Sequence, residues 1–224
     1  LTSPLGPVGK YIYSDNDFIF MGKVVEAISG KTLDQYAYDN FYAPLGLTTT
    51  GFKPSNRFTM DRLAPTHMEP AFRRQLIHGD VHDPGAAMFG GVSGHAGLFS
   101  DAYDLAVVMQ MLLNGGTING RQYLKKETIQ YFSDYHTNVS RRALGFDKPM
   151  KDNATNGDPY PCISASPETF GHSGFTGIWV WDDPVKQLVF IFLSNRVNPV
   201  ESNKISTLNV RGNVLEAVYS AMEN

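Results

Sequence analysis

Several things are scarce in this chain of 224 residues, and each scarcity removes a class of protein. Cys162 is the only cysteine, which excludes an internal disulfide framework and any metal site built from several thiolates. Charged residues make up 18% with a formal net charge of -3, and no run of Lys or Arg occurs, so nucleic acid and anionic membranes are poor partners. No apolar run approaches the roughly 20 residues that cross a bilayer, and no signal-peptide pattern is present. No Met precedes Leu1, and Thr2-Ser3-Pro4-Leu5-Gly6-Pro7 reads as a loop, so the expectation is a boundary inside a longer protein. What remains, 42% hydrophobic, is an ordinary globular composition, enough for one sizeable core or for most of one larger domain.

Periodicity organises the chain into a single unit with no linker or repeat. Phe18, Met21, Val25 and Ile28 recur at helical spacing between Asp15 and Ser29, and Gly30 stands where a helix C-terminus favours it. A second helix is expected from Thr32, with Thr32 and Gln35 as a capping box, ending before Pro44. Residues 51–97 read as a long irregular stretch rich in Gly, Pro and His, of the kind that builds sites. A helix follows Ser100, whose hydroxyl can cap it, with Leu105, Val108, Met109 and Leu112 as its stripe and Gly115-Gly116 as its stop. A shorter helix is expected over 125–132, a polar, turn-rich segment over 141–167, and a β-hairpin from strands 175–181 and 187–194. A closing helix is expected over 207–222, with Val210, Val214, Ala217 and Ala221 on one face.

Gly171-His172-Ser173-Gly174-Phe175-Thr176-Gly177 leads into the hairpin, with small residues that admit a ligand close to a strand edge and polar ones that can hold it. By itself such a turn is better explained as a polar turn with no role in chemistry. Tyr13-Ser14-Asp15 at the start of the first helix supplies the context. Together the two motifs resemble the second and third elements of the serine β-lactamase and penicillin-binding-protein superfamily, in its class C β-lactamase, DD-peptidase and esterase branch. The run from Tyr13 to Pro44-Leu45-Gly46-Leu47, Val81-His82-Asp83-Pro84, Gly90 to Ser100 and Leu193-Ser194-Asn195-Arg196 resemble the same superfamily in the same order.

The resemblance implies an α+β, β-lactamase/transpeptidase-like fold: an antiparallel sheet flanked by helices, with a mainly helical and loop part at about 13–170 and the hairpin and last helix at about 171–224. It implies a serine hydrolase that transfers acyl groups from an amide or ester, a small molecule or a peptide, without a cofactor. The nucleophile of such enzymes lies in Ser-x-x-Lys, and no Ser here is followed three residues later by Lys. Thr50-Gly51-Phe52-Lys53 follows Tyr13 instead of preceding it and does not qualify. The Ser and its Lys are therefore expected upstream of Leu1, leaving a partial domain that is inactive alone and prone to self-association. A fused glycoside hydrolase domain and an extracytoplasmic location are further expectations for the parent protein. The rival is a non-catalytic relative or binding module.

By resemblance, Tyr13 would manage the nucleophile's proton, the Phe175 N–H would complete the oxyanion hole, and His172, Ser173, Gly174 and Asp15 would meet the substrate. Asp15 stands where the superfamily usually has Asn, and a carboxylate accepts hydrogen bonds without donating. His172 stands where Lys is commoner, and a histidine offers positive charge only below about pH 6.5. Both departures favour a peptidase or esterase over an efficient β-lactamase. His78 and His82, near Asp80 and Asp83, could suggest zinc, but Gly79 and Pro84 break the helix that would align them, so no metal is expected. His95 reads as structural, Trp179 and Trp181 as core, and Cys162 as an inert thiol.

Overall fold

The computed structural model describes residues 6–223. Its elements are helices α1 (Asp15–Ser29), α2 (Leu33–Ala37), α3 (Pro84–Met88), α4 (Ala102–Leu113), α5 (Lys126–Ser133), α6 (Lys204–Thr207) and α7 (Val210–Met222). The strands are β1 (Pro65–Glu69), β2 (Gln75–His78), β3 (Thr117–Ile118), β4 (Arg121–Gln122), β5 (Phe170–Ser173), β6 (Trp179–Asp183) and β7 (Leu188–Phe192). The first two and the next two form small hairpins, and β5-β6-β7 form an antiparallel sheet in that order. Residues 51–97, read as irregular, contain the β1-β2 hairpin and α3. Among the described residues no helix is long and apolar enough to cross a membrane.

The core sits between this sheet and α7. Trp179 and Trp181, two apart on β6, project to one face and pack edge-on against each other and Tyr160. Phe190, Leu215, Tyr219, Cys162 and Ala165 complete the cluster. Both tryptophans thus serve packing, and burial pushes the Cys162 thiol up to about 12, which leaves it unreactive. Helix α4 lies against β6 and β7.

Local details depart from the sequence reading at five points. The hairpin is a three-stranded sheet, because Gly171 and its neighbours form β5, while Phe175 lies in the turn between β5 and β6. The Thr32 side chain caps nothing; the free N–H of Leu33 donates to Glu26 Oε1 at 3.1 Å, and Gln35 donates to Asp39. Asp101, not Ser100, caps α4 by accepting from Asp104 N at 2.9 Å, and Ser100 shares a hydrogen bond with Thr50. Helix α7 buries Gly212, Leu215 and Tyr219 in place of the small-residue face, because Leu and Tyr carry more apolar area and the Tyr219 hydroxyl donates to buried Asp183 at 2.7 Å. Finally, α1 begins and ends as expected, with Gly30 at φ 68, yet Phe18, Met21 and Ile28 are 43%, 55% and 83% exposed. The helix instead buries Gly22 against the backbone of Gly94.

Candidate active site

Two helical and strand termini and one loop bring the polar groups together. Ser14 caps α1, its Oγ accepting from Asn16 N at 3.2 Å, and this aims the preceding Tyr13 outward from the helix start. On the facing element, β5 carries His172, whose ring centroid is 6.5 Å from that of Tyr13. Gly171 before it is required by packing: a Cβ there would press on the Val180 carbonyl and on Trp181 of the neighbouring strand.

The third member is Arg142, which sequence reasoning missed. Its guanidinium carbon sits 4.7 Å from the Tyr13 ring centroid, and its Nη1 is 2.8 Å from His172 Nε2. A guanidinium only donates, so Nε2 accepts and the hydrogen of this imidazole resides on Nδ1, which donates to Ser173 O at 2.7 Å. His172 thus presents Nε2 to a guanidinium donor, and Arg142 brings a cation to this place. Arg142 is itself anchored through Nε to Asp147 at 2.8 Å, a fully buried carboxylate that also meets Arg141 at 3.3 Å and accepts from the Tyr160 hydroxyl at 2.9 Å. Nη2 of Arg142 makes no hydrogen bond among the described residues. No periodic pattern marks one Arg of the Arg141-Arg142 pair in a turn-rich segment, 30 residues from its partner.

Burial pushes the Tyr13 phenol above its ordinary value; Arg142 pulls it down, and Asp15 pushes it up again. Asp15 is exposed and has a different neighbourhood: its carboxylate, that of Asp83 and the His95 ring place ligand atoms within 4.8 Å of one another. His95, its side chain 5% exposed, uses Nε2 on Asp83 at 2.8 Å and Nδ1 on Ser93 at 2.9 Å, a structural role as expected. This is the grouping among the described residues that could hold a cation. His78 is engaged elsewhere, with Nε2 2.6 Å from Leu63 O.

Ser173 ends β5, and the next four residues close a tight turn in which Gly174 N donates to Ile178 O at 2.8 Å and Gly177 N to Gly174 O at 3.0 Å. Phe175 N–H makes no hydrogen bond among the described residues and remains a free donor, on the same connection that follows His172.

An antiparallel sheet with a helix behind it, and a tyrosine at a helix start facing a histidine-bearing strand, define the β-lactamase/transpeptidase-like class of α+β proteins. The chain belongs to the β-lactamase family, whose profile matches residues 2–212. A protein of Escherichia coli K12 named "Putative D-alanyl-D-alanine carboxypeptidase" is 36% identical over 240 residues, covering 97% of this chain and 54% of that protein. Among solved structures, a β-lactamase from Mycobacterium bovis superposes with a TM-score of 0.62 at 18% identity, covering 95% of this chain and 65% of the other. Simvastatin synthase from Aspergillus terreus gives 0.65 at 21% identity, covering 95% and 57%. The chain spans about half the length of the curated relatives it matches.

Proposed function

We propose that this chain forms one side of the active site of a serine hydrolase that acts by acyl transfer, with peptides ending in a free carboxylate as its substrate class. The observation that carries the reading is the convergence of Tyr13, His172 and Arg142. The phenol faces the place where an attacking hydroxyl loses its proton. Beside it, Arg142 offers a carboxylate a planar guanidinium with donors in a fixed fork. The name of the Escherichia coli relative, a D-alanyl-D-alanine carboxypeptidase, supports a substrate with such a terminus.

In this reading the nucleophilic Ser and its Lys come from sequence upstream of Leu1, since no Ser-x-x-Lys occurs in the chain. The Ser hydroxyl attacks the carbonyl, its proton passes by way of Tyr13 and the Lys to the amine nitrogen as the C–N bond breaks, and water then hydrolyses the acyl-serine to free the acid and the Ser. Tyr13 is poised to handle that proton only with the Lys nearby, because burial and Asp15 otherwise keep it protonated. The Phe175 N–H stabilises the developing oxyanion, a contribution of several kcal/mol in such sites. Ser173 and Gly174 line the acyl group's approach, and Asp15 stands at the rim. Action on such peptides accords with an extracytoplasmic location for the parent protein.

The test is D-alanine release from a D-alanyl-D-alanine peptide by the natural full-length protein. Tyr13→Phe should lower acylation about 10²-fold; a rate within a factor of two would remove Tyr13 from the proton path. The 224-residue chain alone should hydrolyse neither a chromogenic cephalosporin nor a nitrophenyl ester. A stoichiometric acyl adduct on it, seen by mass spectrometry, would place the nucleophile inside this sequence and overturn the reading.

A further inference from the structure

Two motifs, Val81-His82-Asp83-Pro84 and Leu193-Ser194-Asn195-Arg196, have no part in the chemistry above, yet both close on the turn at 174–177. That turn is a weak place to hold a catalytic donor. Glycines at 174 and 177 give it conformational freedom, and Phe175 between them is 60% exposed, outside the core that would immobilise it. An oxyanion donor works only if its position is settled before reaction.

The downstream motif holds the turn by its carbonyls. Arg196 Nε donates to Phe175 O at 2.6 Å, Arg196 N to Thr176 O at 2.8 Å, and Ser194 Oγ to Gly177 O at 2.6 Å. The Arg196 guanidinium, pinned by Glu201 and Asn203 at 3.1 Å each, also lies 4.2 Å from the Phe175 ring centroid.

The upstream motif holds the side chain. The His82 ring stacks on the Phe175 ring with centroids 5.2 Å apart and planes 30° from parallel. His82 is supported in turn by His67, edge-on at 5.0 Å, whose Nδ1 reaches Val197 O at 2.8 Å. Arg73 donates to the carbonyls of Val81 and His82 at 2.7 and 2.6 Å. Burial, then His67 and Arg73, push His82 below its ordinary pKa, against the pull of Asp83 and Glu201, so a neutral ring meets the phenyl group beside a guanidinium. The next residue, Asp83, bonds His95, which belongs to the cluster with Asp15 two residues after Tyr13. His82 therefore meets the Phe175 turn, while Asp83 is tied to His95, whose neighbour Gly94 packs against the α1 backbone.

We propose that His82 is a positioning residue: its ring, packed on Phe175, fixes the turn that presents the oxyanion-binding N–H, while Asp83 ties the same loop to His95. This rests on the oxyanion role given to Phe175 above. Nitrophenyl-ester hydrolysis by the natural full-length protein reads it out. His82→Ala should lower kcat about tenfold with KM within twofold, as a small misplacement of a catalytic group does, and His82→Phe, which keeps the stack, should recover most of the loss. Retention of kcat by the alanine variant, or a phenylalanine variant as poor as alanine, overturns the proposal.

Amide hydrogen exchange separates this from failure of the functional reading. In His82→Ala, the Gly174 and Gly177 amides should exchange at least about tenfold faster while those of α7 stay unchanged, and His82→Phe should restore them. An inactive wild type with this exchange pattern would sink acyl transfer and keep His82 as the turn's clamp. Unchanged exchange at both glycines would sink the clamp whatever the activity.

Discussion

Replacing Asp182 by Asn should change how the stability of the fold depends on pH. Asp182 lies on β6 between Trp181 and Asp183, wholly buried, and neither carboxyl oxygen has a hydrogen-bond partner among the described residues. Its neighbour Asp183 is also buried but accepts from Ser166, Val185, Lys186 and Tyr219. Burial pushes Asp182 from 3.8 up to about 8, whereas the hydrogen bonds on Asp183 outweigh burial and hold it low. Between those two values the unfolded chain carries Asp182 ionised and the folded chain carries it protonated, so folding takes up a proton and stability falls as pH rises. The slope for one proton is about 1.4 kcal/mol per pH unit, or nearly 3 kcal/mol from pH 5 to pH 7. It vanishes below the unfolded value, where both states hold the proton. Asn has nearly the same shape and does not titrate; its own unpaired amide costs about 1–3 kcal/mol, but equally at every pH. Urea unfolding at pH 5, 6 and 7 should therefore show the variant gaining on the wild type by roughly 2–3 kcal/mol across the series. Parallel curves would refute the reasoning, since they would mean that the carboxyl is ionised in the fold.

Arg142→Gln should raise KM for peptides with a free C-terminal carboxylate by about tenfold or more and leave a neutral nitrophenyl ester within threefold. Equal losses on both substrates, measured on the same preparation, would deny Arg142 the anchoring role. Met21→Lys with Ile28→Lys should reduce self-association of the isolated chain in sedimentation without lowering its melting temperature, because both side chains already stand in water; each large apolar group left so forfeits roughly 1.5–3 kcal/mol that a covering partner would supply. A variant that unfolds would show that this face is packed after all. Gly171→Ala should cost about 1–3 kcal/mol by thermal unfolding, since the added methyl meets the backbone of β6, which cannot move aside; an unchanged melting temperature would mean that the strands are free to separate there.

The parts of this protein that its sequence settled are those decided within a few residues. Helix α1 runs from Asp15 to Ser29 because Ser14 can cap it and Gly30 can leave it in the left-handed region, and both signals are local. The same holds for the extent of α4, though not for the residue that caps it, and for the alternation that puts Trp179 and Trp181 on one face. The two motifs around Tyr13 and His172 were legible because they are short and ordered, and the fold brings their rings to 6.5 Å. Tertiary structure decided what depends on partners far along the chain. Arg142 meets His172, 30 residues further on, only because the fold buries Asp147 and holds the guanidinium from its other side, and no local spacing signals that burial. The face of α7 was misread because a stripe of small residues and a stripe containing Leu215 and Tyr219 are both helical in period. The choice went to the one whose hydroxyl could reach Asp183 and whose Gly212 admits close approach. Helix α1 shows the same division most plainly: periodicity placed Phe18, Met21 and Ile28 on one side, but whether that side meets protein or water is a property of the surroundings, which no spacing encodes.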